Sequence, residues 1–179
     1  MTNRFLDDYP WRKIMPRWLL GIIEIGLSIY FVIRFNTNLG LIYGAWWGFS
    51  LFVLLPLFRC SHCYYYGKRC NTGWGLLAGF TFKKGNPEFF QAGYGLTILL
   101  WPLRLLPIAI GLLDLKGALG GEFSFIPHGL FGIYILAILL HRLYYRAANC
   151  PVCHQRSICP VYDPKALVEP TNSGQTGPN

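Results

Sequence analysis

All six cysteines of this chain fall in two short stretches, each with a histidine inside it. Arg59 to Cys70 reads RCSHCYYYGKRC, and Cys150 to Pro160 reads CPVCHQRSICP. The first is Cys60-x2-Cys63-x6-Cys70 with His62; the second is Cys150-x2-Cys153-x5-Cys159 with His154. A C-x2-C turn aims two thiols into one hemisphere. Two such turns brought together offer four thiolates to one ion, the donor set of structural zinc and of iron–sulfur centres. Cys70 and Cys159 are then spare ligands, for a second site or for a three-plus-one division of the first. His62 and His154 are further candidate ligands. Cys150, Cys153 and His154 also match the C-x-x-C-H pattern of c-type haem attachment. Metal-free thiol–disulfide chemistry is a fourth reading, because Lys68 and Arg69 beside an exposed pair would lower a thiol pKa.

What positions these stretches is apolar. The chain is 53% hydrophobic and 13% charged, about half the charged fraction of a typical soluble domain. Its mean hydropathy is +0.35. The apolar residues form blocks long enough to span a bilayer, which predicts an all-α integral membrane protein, a four-transmembrane-helix bundle. Spans are expected at about 17–34, 39–58, 94–113 and 123–145. Residues 1–162 make one membrane domain, with the cysteine segments 59–70 and 150–160 following the second and fourth helices. Residues 163–179 are rich in Pro, Gly, Ser, Thr and Asn and are expected to be disordered. The apolar run 72–82 is too short to span and reads as interfacial or re-entrant.

Charge sets the orientation. Thirteen of the sixteen Lys and Arg residues fall on the side that holds the N-terminus, the 59–93 loop and the C-terminus; Arg34 and Lys116 fall on the other. This bias puts both termini in the cytoplasm of a bacterial or archaeal inner membrane. The net charge of +8 is then a topology signal and a lipid-surface contact, with no call for nucleic acid. Both cysteine segments lie on the same reducing face, which favours metal over structural disulfides.

Two charges lie well inside apolar runs, Glu24 and Arg104. A lone charge in a bilayer costs roughly 2.5–3.5 kcal/mol or more. Opposite signs at similar depth predict that these two pair, either as a helix-locking contact or as the lining of a quinone or proton pocket. Gly40, Gly44 and Gly48 share one face of the second helix, a spacing that admits close helix packing inside the bundle. His141 reads as an interfacial residue beside Arg142.

The function expected is a small membrane protein with a cytoplasm-facing zinc or iron–sulfur thiolate site. It would act as a structural or accessory subunit that docks a protein partner at that face. The alternative is an electron-transfer or thiol-redox protein coupling a cytoplasmic donor to a membrane quinone.

Overall fold

In a computed structural model, which describes residues 5–96, 101–119, 125–159 and 162, every regular element is a helix. Helix α1 spans Trp11–Phe35, α2 Thr37–Cys60, α3 Trp74–Thr81, α4 Phe90–Leu96, α5 Trp101–Leu119 and α6 Phe125–Tyr144. Three are long and apolar enough to cross a membrane: α1, α2, and α6 with the turns that carry it to Val152. Large apolar side chains on their outer faces stay exposed, among them Leu19, Ile22, Ile42, Phe52, Leu136 and Leu143. Such continuous exposed apolar surface is what lipid, not water, would cover.

Helix boundaries differ from the hydropathy estimate for local reasons. Helix α1 starts six residues earlier than expected, at Trp11 after Pro10. Its amphipathic first turns carry Arg12, Lys13 and Arg17, and a hydropathy cut-off misses a helix that begins in the polar layer. Only Asn36 separates α1 from α2; its side chain accepts a hydrogen bond from the Leu39 N–H (3.0 Å) and caps the second helix. The third span expected at 94–113 falls on α4 and α5, neither of which is among those three long apolar helices, with 97–100 outside the described residues. Helix α5 continues through Asp114 and Lys116 to Leu119, where a loop was expected. The 163–179 tail also lies outside the described residues.

Helix α1 packs against α2, α5 and α6. Their shared core holds Phe31, Val32, Tyr43, Trp47, Leu103, Ile110 and Tyr134. The glycine face of α2 turns inward where it matters. A Cβ on Gly40 would sit 2.3 Å from the Ile33 side chain and 2.6 Å from its backbone, whereas one on Gly48 would meet nothing within 4 Å. Gly40→Ala should therefore destabilise the protein by about 1–3 kcal/mol through overpacking. Gly48→Ala should change it by no more than about 0.5 kcal/mol. Thermal unfolding in detergent compares the two; equal effects would mean that the α1–α2 contact is not this close.

Both cysteine segments begin in the same way. Helix α2 ends in the π-helical turns Ser50–Leu54 and Pro56–Cys60, and α6 runs into the π-helical turn Tyr145–Asn149. The Ser61 N–H donates to the Pro56 carbonyl (2.9 Å), and the Cys150 N–H donates to the Tyr145 carbonyl. These five-residue bonds widen the last turn of each helix, a feature frequent at functional sites.

A candidate metal–thiolate centre

Past the π turns the two segments repeat one backbone pattern. The Cys63 N–H donates to the Cys60 carbonyl (3.3 Å) and the Tyr66 N–H to the Cys63 carbonyl (3.0 Å). Correspondingly, the Cys153 N–H donates to the Cys150 carbonyl (3.2 Å) and the Arg156 N–H to the Cys153 carbonyl (3.2 Å). The segments also meet at equivalent positions. Cys63 and Cys153 lie within electrostatic range of each other, and the next residues, Tyr64 and His154, stack with ring centroids 4.2 Å apart. Within each segment the third cysteine joins its pair: Cys70 is in range of Cys60 and Cys63, and Cys159 of Cys150 and Cys153. Each segment's three thiols thus lie within electrostatic range of one another, and the two trios come into range through Cys63 and Cys153.

All six are free thiols; Cys60, Cys70, Cys150 and Cys159 are buried, and Cys63 and Cys153 partly so. Burial pushes the Cys63 thiol up to about 12, with Cys70 and Cys153 adding to the effect, and burial also raises Cys153. A thiol held in its protonated form is a poor nucleophile. That weighs against metal-free disulfide exchange, which needs an exposed, acidified pair.

The surroundings supply positive charge and N–H donors. The Arg59 guanidinium lies among Cys60, Cys63 and Cys159, with Nη2 3.7 Å from the Cys159 sulfur. Arg17 lies in range of Cys60 and Cys150, and its guanidinium covers the Tyr145 ring at 4.1 Å. Arg17 Nη1 is buried with no hydrogen-bond partner among the described residues, as are both amide atoms of Asn149, the neighbour of Cys150. The Gly75 N–H, at the second residue of α3, donates to the Cys70 sulfur (3.3 Å). Only glycine permits this approach: a Cβ there would fall 2.2 Å from the Tyr65 carbonyl oxygen. Two arginines and unspent N–H donors suit sulfurs that carry negative charge, as metal-bound thiolates do. Among the described residues no three Cys, His, Asp or Glu side chains already converge on a common point as ion ligands. The donor set therefore fits a metal by type, burial and nearby charge, though not by a preformed geometry.

The histidines are committed elsewhere. His62 Nδ1 lies 2.8 Å from the Asn86 carbonyl oxygen, with its ring near Phe89. The His154 ring lies beside Phe5 and Tyr64, with Nε2 3.2 Å from Asp7. The C-x-x-C-H haem reading suits this arrangement poorly, since Cys150 is buried and the would-be axial His154 is held by Asp7.

The N-terminal segment ahead of α1 ties the two cysteine segments together, a role that sequence reading missed. The Leu6 N–H donates to the Val152 carbonyl (3.0 Å) and the Tyr9 N–H to the Arg69 carbonyl (2.9 Å). The Tyr9 hydroxyl donates to the Asn149 carbonyl (2.9 Å), and the Tyr65 hydroxyl donates to the Leu6 carbonyl (2.7 Å). The Tyr64 hydroxyl donates to Asp7 (2.6 Å), holding that carboxyl below its usual range, and Asp8 pairs with Arg69 at 3.3 Å. Tyr9, Ile14, Tyr65 and Cys70 form a second buried cluster with Cys63, Val152 and Cys153 packed on it. Burial, then the nearby Cys153 and Tyr65, push the Tyr9 phenol far above its ordinary value. The sequence signal was faint: a DDYP run whose partners lie 57 to 147 residues away.

In the helical part, Arg104 Nε lies 2.8 Å from Glu24 Oε1. His141 is a third member, with Nδ1 2.8 Å from Glu24 Oε2. This corrects its reading as an interfacial neighbour of Arg142. The spacing held a clue, since His141 precedes Cys150 by nine residues much as Glu24 follows Arg17 by seven. No protein-family model, curated protein or solved structure matches the chain.

Proposed function

We propose that this chain is a four-helix inner-membrane protein, with α4 and α5 together forming the third crossing. Its cytoplasmic end carries a closed zinc–thiolate centre, built from both cysteine segments, that organises a docking face for a protein partner. The observation that carries this reading is the approach of the two largely buried cysteine segments, with Arg17 and Arg59 in range of Cys60, Cys63, Cys150 and Cys159. Cys60, Cys63, Cys70, Cys150, Cys153 and Cys159 are the ligand pool. A zinc ion there supplies cross-linking, replacing thiol protons and fixing the α2 end to the α6 end. The arginines offset the charge of the thiolates. The N-terminal strap bonds to both segments across the junction. A site with its ligands enclosed and its approach strapped suits a structural ion, because a catalytic one keeps an open position.

Protein purified without oxygen should be colourless and contain stoichiometric zinc by elemental analysis. A broad visible band bleached by dithionite would replace zinc with an iron–sulfur centre and the docking role with electron transfer. Metal below about a tenth of an equivalent would end the metal reading altogether.

A further inference from the structure

The cluster at Glu24 is unusual in what it leaves outward. Glu24 is 2% exposed and touches Arg104 and His141 through separate oxygens. Arg104 spends Nε on Glu24, yet its side chain is 52% exposed. Its terminal nitrogens have no hydrogen bond among the described residues. His141 spends Nδ1 on Glu24, and its ring lies 3.8 Å from where a Cβ on Gly21 would be. Its Nε2 edge also has no partner among the described residues. The result is a guanidinium edge and an imidazole edge held by one buried carboxylate.

With α1 and α6 crossing the membrane, the cluster lies deep. Glu24 is seven residues past Arg17, about 10 Å at 1.5 Å per residue. An arginine near a helix end escapes lipid by extending to the headgroups. Arg104 cannot do so without leaving Glu24. Its outward N–H groups, without a partner among the described residues, suit an acceptor that itself enters the hydrocarbon. Glu24 and Arg104 already balance in charge, so a neutral carbonyl compound fits better than a lipid phosphate. Leu103, the chain neighbour of Arg104, lines a groove of about 520 Å³ between α2 and α5. Its walls include Ile42, Tyr43, Trp46, Leu103 and Leu106, almost wholly apolar. The Tyr43 hydroxyl donates to the Leu103 carbonyl on that wall.

We infer that Arg104 and His141, positioned by Glu24, bind the carbonyl head of a lipid-soluble quinone whose apolar tail lies along the α2–α5 groove. The inference rests on the membrane reading of the helices and is independent of any metal at the cysteines. His141 lies nine residues before Cys150, about 13 Å along α6.

The test uses full-length protein in nanodiscs of phosphatidylcholine, titrated with a benzoquinone that carries one isoprenoid unit. One equivalent should bind saturably, and Arg104→Gln or His141→Leu should weaken it about tenfold or more, as loss of a hydrogen bond to a charged or fixed donor implies. Metal content should be unchanged in both variants, which separates this outcome from failure at the cysteines. Because either variant could misfold, infrared difference spectra of the wild-type protein with carbonyl-¹³C quinone provide an independent readout. A hydrogen-bonded downshift of the carbonyl stretch is expected. An unshifted carbonyl, or affinity unaffected in folded variants, would overturn the proposal. So would displacement of the quinone by added phosphatidylglycerol, which would make the site a headgroup site.

Discussion

Cys63→Ser and Cys153→Ser are each expected to abolish metal binding by the whole chain, lowering metal content to below about a tenth of the wild-type level. Each residue belongs to a different trio, and together they are where the trios adjoin. Structural zinc in small domains contributes on the order of 10–16 kcal/mol of binding free energy, and a thiolate replaced by a hydroxyl forfeits a large part of it. Because the ligands come from helix ends 90 residues apart, loss at either end should release the same ion. Elemental analysis of the two purified variants, with circular dichroism to check helix content, measures this. If each variant keeps half the metal, the trios are independent sites and the shared centre is wrong.

The second large effect is expected at Tyr9. Its side chain is 0% exposed, and its ring meets Tyr65 edge-on at 5.5 Å. Its hydroxyl crosses to the Asn149 carbonyl, 140 residues away. Tyr9→Ala empties a fully buried aromatic site and should cost about 3–5 kcal/mol. Tyr9→Phe removes only the hydrogen bond and should cost about 1 kcal/mol. The consequence should be local before it is global: the N-terminal strap lifts, and Cys63 and Cys153, already partly exposed, open to solvent. Maleimide labelling in metal-free protein should then speed up at least about tenfold in Tyr9→Ala, the equivalent of 1.4 kcal/mol of local opening. Labelling as slow as in the wild type would show that the strap does not guard the thiols.

These two sites differ in how visible they were beforehand. The cysteine segments were legible because their signal is local: C-x2-C spacing is a property of four consecutive residues. Three helices long and apolar enough to span were legible because hydropathy adds along the chain, and the expectation that both segments lie at one end came from counting crossings and charges. The Glu24–Arg104 contact was also legible, since an unpaired charge in an apolar run needs an opposite charge at its own depth. Its third member was not, because a histidine near a helix end satisfies the interfacial pattern equally well, and helix rotation alone decides whether it faces lipid or Glu24.

By itself, then, the amino-acid sequence determined an apolar helical chain with two cysteine segments and a buried charge needing a partner. Those are properties of composition and short-range spacing, and they hold whatever the packing. Only the tertiary structure decided that Cys63 and Cys153 come within range of each other, that His62 and His154 are held by the Asn86 carbonyl and Asp7, and that Arg17, Arg59 and the segment from Phe5 to Pro10 gather at the junction. Each of those depends on side chains from distant helices arriving at one place, which requires the crossing positions and rotations of α1, α2 and α6. No periodicity in the sequence encodes those rotations, because they emerge from how residues such as Gly40 and Ile33, Phe31 and Tyr134, and Tyr9 and Asn149 fit together.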